Sequence, residues 1–375
     1  MLPFVRMFDY GNIIEVNNIK KSVVSYTLEM FLMQDGTVYA HGEDSNYNAG
    51  LSTKFVSLGA VQQITTEVDD LWLGSFSVVI KGDKIYGSGS TYAFTNSNTF
   101  QQGYTDWAVY FTGIDVTQIK KMLCGYTAFI LMKDGTLYGR GWNRSGSLGL
   151  GHKNYVSAWT VLDTNVDNIF GGYLGDTLFK IKNDGTVYGS GSNNSFQVKA
   201  TSGDATTFVP LFDDISYDIK CSFVSGVGFV MITSDNKIYA TGTTFAGSGA
   251  HSKVFDVGFT IGDMSNIYHP DSLDYSTSVV FLINADTNKL IATGHTPFTG
   301  SSSSSLPYFT AFQEFNFTSF NSNTRYSGSL YWNTFYEGNN VWMNGYNPKN
   351  TGGKNFSLCS IPLDTIITKQ IDLPF

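Results

Sequence analysis

Apolar residues in this chain fall in short runs, each broken by a polar turn and followed by a second, shorter run. "TAFILM", Thr127 to Met132, passes through Asp134-Gly135 into "TLYGRG". Asp-Gly between two apolar runs predicts a β-hairpin with a two-residue type I′ turn, which needs positive φ at both central residues. Asp35-Gly36 and Asp184-Gly185 repeat the pair. Asp235-Asn236, Thr287-Asn288 and Gly338-Asn339 stand in for it, because asparagine tolerates the left-handed region, and Gly82-Asp83 is one residue shorter.

Each second run closes on a glycine: Gly42, Gly89, Gly141, Gly191, Gly242, Gly294 and Gly345, at successive spacings of 47, 52, 50, 51, 52 and 51. Seven near-equal units therefore fill the chain. Segments such as "WTVLDTNVDNIFGG" and "FVPLFDDISYDIKC" between the hairpins supply two more strands per unit. Units of about 50 residues with four antiparallel strands predict an all-β, seven-bladed β-propeller of four-stranded blades in one domain, residues 1–375. A solenoid would need capping ends, and none stands out. The last segment, "FSLCSIPLDTIITKQIDLPF", resembles both the inter-unit strands and the N-terminal "FVRMFDYGNIIEV", so pairing of the two ends is expected to close the ring. Gly74, Gly125, Gly175 and Gly226 hold one place in four units and are expected at a strand start crowded near the axis. Ser301 to Ser305 reads as a loop between the sixth and seventh blades.

"CGYTAFILMKDGTLYGRGWNRSGSLGLG", Cys124 to Gly151, resembles the repeat of the regulator of chromosome condensation family (RCC1-like), through its Cys-Gly opening, Asp-Gly-x-Leu-Tyr hairpin and the loop residues Gly141, Asn143, Gly146, Leu148 and Gly149. The first and fourth units keep traces of the loop, and the last three keep only the hairpin. The resemblance implies that family's seven-bladed propeller. It also implies two tasks, since the founding member exchanges nucleotide on the small GTPase Ran and binds nucleosomes while others are interaction platforms. Exchange in the founder is associated with a blade insertion, for which spacings of 47 to 52 leave little room.

Composition narrows the function classes. Charged residues make up 14%, against about 25% in ordinary soluble domains, while aromatics reach 15% and glycines number 39. A net charge of -8 and a pI near 5.0 argue against binding nucleic acid by phosphate neutralisation. The basic doublets Lys20-Lys21 and Lys120-Lys121 read as strand-end pairs facing water. Cys124, Cys221 and Cys359 signal neither a disulfide framework nor a zinc site. No secretory leader or membrane span is recognised, so a soluble chain made in a reducing cytoplasm is expected.

No catalytic constellation stands out. "GRGWNRSG" lacks the Gly-Lys-Ser/Thr and helix start of a phosphate loop. His41, His152, His251, His269 and His295 are scattered singly, although His41 and His295 flank closing glycines and could share a face. Asp69-Asp70 and Asp213-Asp214 are strand neighbours that point to opposite faces. No cofactor or metal is expected, and a propeller enzyme would need such groups to converge in the channel. Tyr39, Tyr86, Tyr138, Tyr188 and Tyr239, with Ile291 and Trp342, are expected to pack between blades. Tyr47, Tyr92, Phe94, Trp142, Asn143, Arg144, Phe196, Phe245, Phe298 and Tyr346 follow the closing glycines in loops and are the candidate protein contacts. The composition suggests a non-catalytic scaffold in a virus particle, such as a phage head decoration or tail protein. The alternative is an exchange or regulatory factor for a small GTPase.

Overall fold

The computed structural model describes residues 19–25, 28–44, 47–52, 55–89, 104–171, 175–212, 215–225, 228–242, 252–256, 259–262, 279–287, 289–295, 308–315, 325–328, 332–337 and 340–345. Five four-stranded antiparallel blades are built from them. The first holds β1 (Ile19–Val24), β2 (Leu28–Met33), β3 (Val38–Asp44) and β4 (Phe55–Thr65). The second holds β5 (Asp70–Leu73), β6 (Phe76–Lys81), β7 (Lys84–Gly89) and β8 (Tyr104–Phe111). In the third lie β9 (Ile119–Cys124), β10 (Thr127–Met132), β11 (Leu137–Gly141) and β12 (Val156–Asp163). The fourth has β13 (Val166–Gly171), β14 (Thr177–Lys182), β15 (Val187–Gly191) and β16 (Ala205–Pro210), and the fifth β17 (Ile219–Ser225), β18 (Gly228–Thr233), β19 (Lys237–Thr241) and β20 (Ser252–Asp256).

The periodicity predicts seven such blades; among the described residues there are five, and the last two units show three-stranded sheets. One pairs β21 (Val279–Asn284), β22 (Lys289–His295) and β23 (Tyr308–Phe315), and the other β24 (Arg325–Gly328), β25 (Trp332–Glu337) and β26 (Asn340–Gly345). The sixth has a hairpin and an outer strand, the seventh an inner strand and a hairpin. Stretches 263–278 and 346–375, where the fourth strands would be sought, lie outside the described residues, as do the N-terminal segment and Ser301 to Ser305. Neighbouring first strands approach one another around the axis: β1 beside β5, β5 beside β9, β9 beside β13, β13 beside β17, and β1 also beside β24.

Second strands are mostly apolar because neighbouring blades cover both of their faces, with Glu29, Ser77 and Lys180 as buried exceptions. β2, β10 and β18 are buried at every position. One apolar cluster joins the second and third blades through Trp72, Phe76, Met122 and Ile130, and comparable clusters fill the other described junctions. The tyrosine column packs there: Tyr86, Tyr138 and Tyr239 each lie against the cluster shared with the preceding blade.

The hairpin turns differ from expectation. Met132 N–H donates to Thr136 O at 2.9 Å and Gly135 N–H to Met132 O at 3.1 Å, so the loop has three residues, and only Gly135, at φ +86°, is left-handed. This is a type I turn followed by a glycine bulge. Asp134 does something else there: its Oδ1 accepts the Thr136 amide at 2.8 Å, as Asp35 does for Thr37 at 2.9 Å and Asp184 for Thr186 at 2.9 Å. These bonds hold all three carboxyls below the ordinary aspartate value. Asn236 takes the glycine position at φ +70°. Each turn also grips the next blade: Gly36 O, Gly135 O and Gly185 O accept from Val68, Val166 and Tyr217 at 2.9, 3.0 and 3.2 Å.

Lys20 and Lys120 of the basic doublets are exposed, as expected, and the doublets also bridge blades. Lys20 Nζ donates to Asp69 O at 2.6 Å and Lys120 Nζ to Asp167 O at 2.6 Å. Lys21 pairs with Asp70 Oδ1 at 2.8 Å and lies 4.3 Å over the Trp72 ring. Its neighbour Asp69 turns the other way and accepts the Gly82 amide at 2.8 Å. Asp213 and Asp214 lie outside the described residues.

Candidate interaction loops

Among the described residues, the loops that follow Gly42, Gly141 and Gly191 have a frame built from three equivalent side chains. Asn143 Nδ2 donates to His152 O at 2.9 Å and Asn154 O at 3.2 Å, while its Oδ1 accepts the Leu148 amide at 3.0 Å. Asn193 repeats this with Lys199 O at 3.0 Å, Thr201 O at 2.7 Å and the Val198 amide at 2.8 Å. Asp44, two residues after Gly42, accepts the Ala49 amide at 2.7 Å. Asn143 has no exposed surface. It is therefore the inner brace of its loop and not a contact residue. Asn143→Ala strands several backbone groups, and a loss of about 2 kcal/mol is expected, read as faster hydrogen exchange over residues 142–151.

The braced loop lies on the following blade. Leu150 bridges to Thr207 and Leu51 to Asp106, on the outer strands of the fourth and second blades. Gly149 sits against the Phe208 ring and Gly50 against Trp107, so closely that any Cβ would overlap the ring. Ser190 Oγ donates to Ser147 O at 2.7 Å and Ser88 Oγ to Tyr47 O at 2.6 Å, fastening each loop to the next closing strand.

Tyr47 and Phe196 occupy the loop corner held by Gly146 in the third unit, and all three are left-handed, at φ +64°, +56° and +80°. Both aromatics are half-buried. Trp142 is half-buried beside Tyr126, ring centroids 5.6 Å apart, and its amide donates to Tyr126 O at 3.1 Å. Arg144 places its guanidinium 4.5 Å over the Trp142 ring and reaches Asp176 Oδ2 at 3.3 Å, with its side chain 53% exposed. Tyr92, Phe94, Phe245, Phe298 and Tyr346 lie outside the described residues.

Tyr126 and Asp176 carry no signal in the sequence. They stand at the hairpins between first and second strands, where Gly125 and Gly175 also lie. These glycines belong to that turn and not to a strand start. A Cβ on Gly175 would strike the Thr127 carbonyl of the preceding blade. Burial raises the Asp176 carboxyl above its ordinary value, opposed by the charge of Arg144.

A second cluster lies between the third and fourth blades. Lys180 on β14 pairs with Asp163 at the end of β12, and Lys182 Nζ reaches the same carboxylate at 2.8 Å. Lys180 is only 3% exposed and lies 3.2 Å from the Phe208 ring centroid. Phe31, Val79, Ile130 and Met231 hold its position in the other blades, each paired with the column tyrosine. The lysine interrupting "TLFKIK" was the available signal. Burial lowers its pKa to about 8.

Among the described residues, no group of histidines, cysteines and acids is placed to hold a metal ion, and no helix is long and apolar enough to cross a membrane. His152 is exposed and accepts the Asn154 amide on Nδ1 at 3.2 Å; His251 and His269 lie outside the described residues. Burial pushes the Cys124 thiol far above its usual value, leaving it protonated.

No family model and no curated protein matches the sequence. Solved structures do match. Human WBSCR16 aligns over 80% of this chain and 82% of its own, with a TM-score of 0.61 and 14% identity. Yeast RCC1 (Prp20) bound to Kap60 aligns over 87% and 80%, with a TM-score of 0.59 and 12% identity. Prp20p from Saccharomyces cerevisiae, described with its binding to Gsp1p and histones, aligns over 82% and 79%, again at 0.59 and 12%. The shared property is the fold. This chain is an all-β propeller with RCC1-like neighbours, and at such identities nothing finer follows from the likeness.

Proposed function

We propose that this chain is a non-catalytic, single-domain ring of seven blades that offers its loop-bearing end to a protein partner, and that the partner is a small GTPase whose nucleotide exchange it regulates. The observation that carries this reading is the Trp142 and Arg144 pair: a half-buried indole under a half-exposed guanidinium, on a loop braced internally by Asn143 and laid on the next blade. Tryptophan and arginine on a rigid support are the side chains that dominate protein contacts, because little conformational entropy is lost on docking. The seven repeat units and the approach of β1 to β24 support a closed ring. The RCC1-like neighbours, one of them described with Gsp1p and histones, favour the regulatory form over a virion part. The virion reading rests on composition alone.

The test is release of a fluorescent guanine nucleotide from a panel of small GTPases of the source organism. Excess full-length chain is expected to accelerate release from one of them, and Trp142→Ala or Arg144→Ala to weaken that effect about tenfold, as for a contact worth some 1.4 kcal/mol. Unchanged release across the panel overturns the GTPase reading.

A further inference from the structure

Arg144 is held by a stack of rings and by one carboxylate. Its planar group lies on Trp142, which rests on Tyr126, so its direction is set before any partner arrives. One ion pair engages it, to a single oxygen of Asp176 at 3.3 Å, which is long for a charge-assisted bond. A guanidinium carries five donors in a fork that fits a carboxylate through two parallel bonds. We infer that Arg144 is the anchor for a carboxylate on an acidic segment of a protein partner, and that Asp176 occupies the anchor in the free protein and gives it up on binding. This inference rests on the loop end being the docking end, and it adds the chemistry of what docks.

Local charge selects a carboxylate over a phosphate. Asp176 and Asp204 interact with each other, and Asp204 is neutralised by Lys153 at 2.7 Å. The site therefore holds two cations and two acids, inside a chain of net charge -8. A doubly charged phosphate would face two nearby aspartates, whereas a single carboxylate exchanges one for one with Asp176. The exchange leaves the guanidinium in place on Trp142: the partner's carboxylate takes the fork, and the Asp176 side chain, 22% exposed, releases it. The titratable and charged groups facing it are Arg144 and Asp204, with Lys153 holding the latter. Burial raises the Asp176 carboxyl while Arg144 opposes the rise, so losing Arg144 raises it further.

The experiment is fluorescence anisotropy on the full chain with a fluorescein-labelled peptide of alternating glutamate and glycine, and its glutamine counterpart as control. The glutamate peptide is expected to bind and the glutamine peptide not. Arg144→Ala abolishes binding, and Arg144→Lys weakens it because the planar stack on Trp142 is lost. Asp176→Asn, nearly isosteric, frees the anchor: the peptide binds several-fold more tightly. Thermal unfolding confirms that each variant is folded. The inference is overturned if Asp176→Asn binds no more tightly than wild type, if Arg144→Ala binds unchanged, or if inorganic phosphate competes as well as the glutamate peptide. Accelerated nucleotide release without peptide binding would sink this inference and leave the GTPase reading standing; peptide binding without accelerated release would do the reverse.

Discussion

Gly191→Ala is expected to cost about 4 kcal/mol, at the upper end of single-site effects, and to lower the thermal midpoint by many degrees. Gly191 closes the fourth hairpin at φ +104°, a conformation that side chains avoid. An added Cβ would fall within the shell of the Asp176 carbonyl and press on Thr177 Cα, which is backbone and cannot swing aside. The same geometry aims the next amide, Ser192 N–H, at Asp176 O across 2.7 Å. Moving the strand therefore also moves the turn that holds Asp176. Gly203→Ala is the control, because Gly203 is left-handed at φ +85° with nothing within 4 Å of the added carbon. It should cost only about 1 kcal/mol, the local price of a left-handed alanine. Equal losses at the two sites, measured by denaturant titration, would show that crowding at the closing glycine is unimportant.

Asp163→Ala is expected to destabilise the protein by about 3 kcal/mol near neutral pH, since it removes the counter-ion of a buried ammonium. Lys180→Met, which places in the fourth blade the residue type found at Met231, should be neutral or stabilising and should rescue Asp163→Ala. The pH dependence follows from the lowered lysine. Below pH 8 both folded and unfolded chains carry the proton, and the cost of burying the charge is fully present. Between about 8, the folded value, and 10.5, the ordinary one, the folded chain loses its proton first, so stability rises with pH. The rise attributable to Lys180 is at most about 3 kcal/mol. It is read as the difference between wild type and Lys180→Met in denaturant titrations across that window. The Asp163→Ala loss should shrink over the same window, because a neutral amine needs no counter-ion. A pH-independent difference between wild type and Lys180→Met would mean that Lys180 is hydrated in the folded protein.

Local rules read well where one residue type answers one backbone need. Closing glycines, Asp-Gly turns and the tyrosine column were legible because each recurs at fixed intervals and because turn and packing demands are the same in every blade. The turn type was not, since Asp134 satisfies its neighbour's amide through its carboxylate instead of taking a left-handed backbone. The place of Asn143 is not legible in the sequence for a related reason. An asparagine in a glycine-rich loop looks exposed, yet here both ends of its amide are spent inside the loop. Lys180 was visible as an anomaly in an apolar strand, but its partner Asp163 lies on another blade, and no local pattern links the two.

Sequence by itself determined the repeat, the hairpins and an all-β propeller, because strand and turn formation depend on residues only a few positions apart. Which residues meet across blades was decided by the tertiary structure alone. Lys120 meets Asp167 and Arg144 meets Asp176 at sequence separations of 47 and 32, and those distances are closed only when neighbouring blades pack face to face. The charge balance at the loop end belongs to that packing, since it sets two cations from one loop against two acids from the next blade.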